Sequence, residues 1–135
     1  MPIVGIGCDV TQISRVARLL GRYGPRFTRR MLHRAEAERL EELGAASERG
    51  ARFVASRWAA KEAVVKSLGG TRVCFTDVQI GSGGGPADNA GAPAQPVIAW
   101  HGAARAHVAA RGIASSHVTL SHDGDVAMAV VVLER

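Results

Sequence analysis

Glu62 and Lys66 stand four residues apart in the stretch RFVASRWAAKEAVVKSLGG, so on a helix they face the same way. Trp58 and Gly69 fall on that side, while Arg57 and Lys61 form a neighbouring row. A glutamate and a lysine at this spacing make a common surface ion pair, which adds only about a few tenths of a kcal/mol. They would equally make half of a metal and phosphate site. Asp9 keeps the second reading open, because it ends an apolar strand pattern where an unpaired carboxylate is costly to bury. Asp9 and Glu62 together would offer two hard oxygen ligands. That set suits Mg²⁺, which completes its octahedron with water and phosphate oxygens. Lys66 and Arg57 would then neutralise phosphate charge that the metal leaves uncovered.

Other chemistry is poorly supported. His117 and His122 point to opposite faces of one strand, and no second histidine sits at helical ligand spacing with an acid or cysteine, so zinc is not indicated. His122 beside Ser121 reads either as a phosphate donor or as a turn histidine, and His33, His101 and His107 read as surface residues. Neither a P-loop nor a G-x-S-x-G elbow occurs. Two cysteines, Cys8 and Cys74, make no disulfide framework, and Cys8 reads as a small hydrophobe on a core-facing strand.

The elements that must position these groups follow from periodicity. Residues 3 to 10, IVGIGCDV, alternate: Val4, Ile6, Cys8 and Val10 make one apolar face, while Ile3, Gly5, Gly7 and Asp9 share the other. The glycines leave room for something to approach Asp9. Thr11 is expected to cap a helix with the core face Ile13, Val16, Ala17 and Leu20, and with a basic row of Arg15, Arg18 and Arg22. Residues 26–43 read as one broken helix or two short ones, with Glu36, Glu38, Glu41 and Glu42 on a solvated face beside Arg34 and Arg39. A long helix over about 48–68 opens near Ser47 and stops at Gly69-Gly70. Strands are expected near 74–80 and 97–100, with a helix over 101–111. The C-terminal SHVTLSHDGDVAMAVVVLE predicts a hairpin with Asp123-Gly124 in the turn. VAMAVVVL is apolar on both faces, which suits a central strand or one in a subunit interface. The order predicts an α+β single domain over 1–135, a mainly antiparallel sheet packed against a long helix. Residues 81–96 form a flexible Gly/Ala/Pro-rich loop in this reading.

Composition sets the class. Of 135 residues, 47% are hydrophobic and 21% charged, an ordinary globular balance for one domain. No apolar run reaches a membrane span, and the N-terminus lacks the basic start of a signal peptide. A cytoplasmic protein without membrane contact is the expectation. The formal charge of +5 favours an acidic partner. With only 2 Trp, 1 Tyr and 3 Phe, none interleaved with a basic run, a nucleic-acid stacking platform is not expected.

Three blocks carry a resemblance. IVGIGCDVTQISRV, RFVASRWAAKEAVVKSLG and SHVTLSHDGDVAMAVVVLE resemble, in order and at about the right spacing, the N-terminal, central and C-terminal blocks of the holo-[acyl-carrier-protein] synthases. These are the short type of 4′-phosphopantetheinyl transferase. The resemblance implies that fold and the transfer of 4′-phosphopantetheine from coenzyme A to a serine of an apo acyl carrier protein. Adenosine 3′,5′-bisphosphate is the other product, and the carrier serves fatty acid or polyketide synthesis. Asp9 and Glu62 would hold Mg²⁺ with the coenzyme A pyrophosphate, and Lys66 would contact the phosphate under attack. Arg57, Ser121 and His122 would lie along the nucleotide end, with Lys61 serving the nucleotide or merely the surface. Arg15, Arg18 and Arg22 would grip the acidic carrier, and homotrimers would share active sites between subunits. The serine needs a base, for which a metal-held water, Glu62 and Asp123 are alternatives, although Asp123 also reads simply as a turn former. Three positions depart from the family pattern: Cys8 replaces an aliphatic residue, Trp58 replaces Phe, and Gly91-Ala92-Pro93 lacks a basic residue.

Overall fold

A computed structural model describes residues 2–83 and 94–135. The chain forms β1 (Ile3–Gln12), α1 (Ile13–Tyr23), α2 (Pro25–Met31), α3 (Arg34–Leu43) and α4 (Glu48–Ser67), and then a 3₁₀ turn at Phe75–Asp77. β2 (Val78–Gly83), β3 (Gln95–Trp100), α5 (Gly102–Ala110), β4 (Ser115–Asp123) and β5 (Val126–Glu134) follow. The α+β class and antiparallel pairing are as expected, but the strands divide into two sheets, β1-β5-β4 and β2-β3. The expected loop is shortened from both ends, since β2 runs through Gly83 and pairs it with Gln95 of β3. Residues 84–93, including Gly91-Ala92-Pro93, lie outside the described residues.

β5 is the middle strand of its sheet, in keeping with its apolar sequence. Ala127, Ala129, Val131 and Leu133 face inward and are essentially inaccessible. Its two-residue turn from β4 is Gly124-Asp125, one position later than expected, with Gly124 at φ 55°. Asp123 is still paired, opposite Val126. The shift frees Asp125, whose carboxylate accepts the Ser14 backbone N–H at 2.8 Å. That bond caps α1 from the far end of the chain. Thr11, expected in this role, instead directs its hydroxyl toward Asp9 Oδ2 at 3.4 Å.

Residues 26–43 resolve into two helices around the extended Leu32-His33 step. His33 caps α3: its Nδ1 accepts the Ala35 N–H, and Glu36 reaches back to accept the His33 N–H. Ser47 caps α4 by accepting the Gly50 N–H.

The small residues of α4 have a geometric cause. The helix lies so close to β1 that a Cβ on Gly7 would sit 1.9 Å from the Ala63 carbonyl oxygen, and one on Gly5 2.1 Å from that of Ser67. The glycines therefore make room for α4 rather than for a ligand at Asp9. This contact also settles which face of β1 is inside. Gly7 and Thr11 are buried, whereas Ile6, Val10 and Cys8 point outward, Ile6 being 68% exposed. Cys8 is thus not the core residue it was expected to be. Ala17, expected on the core face of α1, is likewise exposed.

Candidate active site

β1 and α4 together bring two carboxylates to one place. Asp9 and Glu62 line a cavity of about 250 Å³ together with Val10, Thr11, Gln12, Arg15, Val16 and Trp58. Close packing at Gly7 sets the spacing of the two elements that carry them. Lys66 reaches across from α4 and donates to Asp9 Oδ1 at 3.1 Å and to the Cys8 carbonyl at 2.8 Å. It pairs with Asp9 rather than with Glu62, its neighbour one helical turn away. Among the described residues Glu62 has no ion-pair partner.

Arg57, Ser121 and His122 meet in a second and larger cavity of about 510 Å³. Arg39, Arg49, Arg52 and Gln79, none of them a candidate from motif or spacing, line it too. Arg49 and Arg57 lie eight positions apart on α4 with Arg52 and Phe53 between them, so a helical count along that face would have found the basic stripe. Arg57 packs its guanidinium over the Phe53 ring at 4.1 Å and donates to Ser56 Oγ at 3.1 Å. Its Nε is buried without a partner among the described residues. Burial pulls the Arg57 pKa below its ordinary value, against the opposing charge of Glu36, and an arginine this basic stays charged.

Two expectations are overturned. Lys61 serves neither nucleotide nor surface: it is wholly buried, and its ammonium donates to Glu36, to the Met31 carbonyl and to the Phe75 carbonyl. With all three protons engaged inside the protein, it has none left for a ligand. Glu36 is equally far from the solvated face assigned to it, being 3% exposed. Its neighbours do follow the expectation, since Glu38 pairs with Arg34 and Glu42 with Arg39 at the surface. His33 and His101 are half-buried and stack with ring centres 4.4 Å apart. Arg18 and Arg22 are exposed on α1 and line neither cavity, and Asp123 is exposed at the end of β4. No group of three or more His, Cys, Asp or Glu side chains gathers as a metal site among the described residues.

A helix of small residues lies against a three-stranded antiparallel sheet, and a carboxylate from each lines one cavity. The family model for the 4′-phosphopantetheinyl transferase superfamily matches residues 5–131, and the chain belongs to that superfamily. The holo-[acyl-carrier-protein] synthase of Nitratidesulfovibrio vulgaris (strain DP4) is 44% identical over 135 residues, covering 98% of both chains. The crystal structure of holo-[acyl-carrier-protein] synthase from Neisseria meningitidis matches with a TM-score of 0.83 at 28% identity, covering 99% of this chain and all of that one. The Helicobacter pylori synthase, solved in complex with coenzyme A, matches with a TM-score of 0.74 at 25% identity over 96% of this chain and 99% of its own.

Proposed function

We propose that this chain is a Mg²⁺-dependent holo-[acyl-carrier-protein] synthase. It moves 4′-phosphopantetheine from coenzyme A to a serine hydroxyl of an apo acyl carrier protein. The serine hydroxyl gives its proton to a base as its oxygen bonds to the phosphorus that bears pantetheine, the pyrophosphate P–O bond on the adenosine side breaks, and adenosine 3′,5′-bisphosphate leaves. The observation that carries the reading is the meeting of Asp9 and Glu62 in one cavity, with Lys66 already on Asp9.

These donors fit a hard divalent cation. Both are carboxylates, Glu62 is unpaired among the described residues, and two protein oxygens are what Mg²⁺ typically takes beside phosphate. When bound there, Mg²⁺ would neutralise pyrophosphate charge. Lys66, about half exposed, can turn from Asp9 to the phosphate under attack, and its charge stabilises what develops there. Arg57, Ser121 and His122, with Arg49 and Arg52, make a basic pocket for the nucleotide end; the Nε of Arg57, buried with no partner among the described residues, is a donor suited to a phosphate oxygen. Arg15, Arg18 and Arg22 present the acidic carrier with a row of guanidinium groups.

The working form in this reading is a homotrimer in the cytoplasm. The outward face of β1 and β5 supports association: Ile6, Val10, Val126 and Met128 are large, apolar and 37–68% exposed. Association through it would bring one subunit's carboxylate cavity toward its neighbour. Two free thiols, and the lack of any described helix long and apolar enough to cross a membrane, accord with that location. The test is intact mass spectrometry of an apo carrier after incubation with the protein, coenzyme A and Mg²⁺. Gain of one phosphopantetheine is expected. No transfer to any carrier, together with tight, salt-sensitive nucleic-acid binding, would instead make it a basic binding module.

A further inference from the structure

The three arginines of α1 are not equivalent. Only Arg15 lines the cavity that holds Asp9 and Glu62. Its guanidinium carbon lies 5.6 Å from the centre of the Trp58 ring, on a different helix. Trp58 is itself held in place by Phe27 of α2, the two rings 5.4 Å apart and tilted by 39°. Arg22 rests on Tyr23, the next residue in its own helix, and Arg18 has no such support among the described residues. Arg15 is exposed and has no carboxylate partner there, although Asp9 lines the same cavity; Asp9 engages Lys66 instead.

We propose that Trp58 is a positioning residue, whose indole face holds Arg15 at the mouth of the Asp9–Glu62 cavity ready for an acidic segment of the carrier. This rests on the transferase reading above. Trp58 and Glu62 are one helical turn apart on α4, so a single helix aims both the carboxylate and the arginine. Stacking on an aromatic face leaves the N–H edge of a guanidinium free, so Arg15 is oriented without losing a donor. A held arginine also loses less side-chain freedom when its partner arrives, which is where the gain in affinity arises. Arg15 in this role sets the distance between the carrier's acidic segment and the reacting phosphate, whereas Arg18 and Arg22 supply attraction at longer range. An exposed cation–π contact of this kind corresponds to about a two- to five-fold change in a binding constant.

The test is a double-mutant cycle read as KM for apo carrier, with KM for coenzyme A measured alongside. Trp58→Leu is expected to raise the carrier KM about two- to five-fold, and more than it raises the coenzyme A KM. Trp58→Phe should recover much of the loss. In an Arg15→Ala background, Trp58→Leu should produce no further rise. An equal rise in both backgrounds would overturn the positioning role while leaving docking by Arg15 standing. If Arg15→Ala leaves the carrier KM unchanged, docking by Arg15 fails and the proposal fails with it. Absence of any turnover by the unmodified protein would sink the transferase reading itself. Should Trp58→Leu not fold, Trp58→Met, which also lacks the aromatic face, takes its place in the two backgrounds: a rise confined to the Arg15 background supports the role, and equal effects overturn it.

Discussion

Lys61 and Glu36 form an ion pair sealed inside the protein, and through it five elements are tied to one point. The lysine, on α4, bonds Glu36 at the start of α3, the Met31 carbonyl at the end of α2 and the Phe75 carbonyl in the 3₁₀ turn. The second oxygen of Glu36 accepts the Ile80 N–H of β2 at 3.1 Å. Burial lowers the Lys61 pKa, and the charge and hydrogen bond of Glu36 oppose that fall. Removing one partner leaves a buried charge without compensation, a loss of about 3–5 kcal/mol. Glu36→Ala should therefore lose about that much stability in urea unfolding, and Lys61→Met combined with Glu36→Leu should recover a good part of it.

Asp9→Asn and Glu62→Gln should each reduce phosphopantetheine transfer by at least about a hundred-fold, the scale of losing one preorganised charge at a reacting centre. Circular dichroism and oligomer size should stay those of the parent. Full activity in both variants would reject the metal assignment.

Gly7→Ala should damage structure and site at once. The added methyl would meet the Ala63 carbonyl at 1.9 Å, and backbone on both sides means that α4 itself must move. Overpacking of this sort costs about 1–3 kcal/mol. Because Glu62 rides on that helix, activity should fall further than the change in melting temperature predicts. Gly21→Ala, where no described atom lies within 4 Å of the added one, is the control: activity should be unchanged and the melting temperature equal or slightly raised, as expected for Ala in place of Gly within a helix.

Acid should weaken the fold through His33. Burial, and then the stacked His101, lower its pKa from the ordinary value, with Lys61 and Arg34 adding to the fall and Glu36 opposing it. The folded protein therefore binds this proton less readily than the unfolded chain does. The contribution is fully present above about pH 6.5 and is lost as pH falls through the lower folded value. Protonated Nδ1 would also stop accepting the Ala35 N–H that caps α3. His33→Asn keeps a capping oxygen without the titration, so its melting temperature should depend less steeply on pH between about 5 and 7. An unchanged slope would remove His33 from the account.

Val10→Glu should leave the fold intact and lower the oligomeric state seen by light scattering. Val10 is 58% exposed and pairs with Met128, itself 37% exposed, on the outward face of the sheet. A parent that is monomeric at all concentrations would contradict the trimer.

Much of the framework was legible in the residues because its causes are local. Helical spacing and capping chemistry mark α4, with Ser47 at its start and Gly69-Gly70 beyond its end. Alternation marks β1, an unbroken apolar run marks β5, and the types of Asp9, Glu62 and Lys66 already suggest oxygen ligands and a phosphate partner. Local rules did less well wherever a distant group took over. Asp125, 111 positions away, caps α1 in place of Thr11. Glu36 leaves its acidic neighbours because Lys61 and Ile80 compete for it.

The two lysines show where that boundary falls. Lys61 and Lys66 are the only lysines in the sequence, five positions apart on one helix; helical spacing puts them on neighbouring rows but does not say which row is buried. Composition, spacing and motif determined that a carboxylate and lysines lie along α4 and that Asp9 follows a glycine-bearing strand. Only tertiary packing decided that Lys61 turns into the core and Lys66 out to Asp9. The rotation of α4 depends on which face of β1 it meets. The contacts at Gly5 and Gly7 set that choice, joining backbone about 60 residues apart where no local periodicity extends.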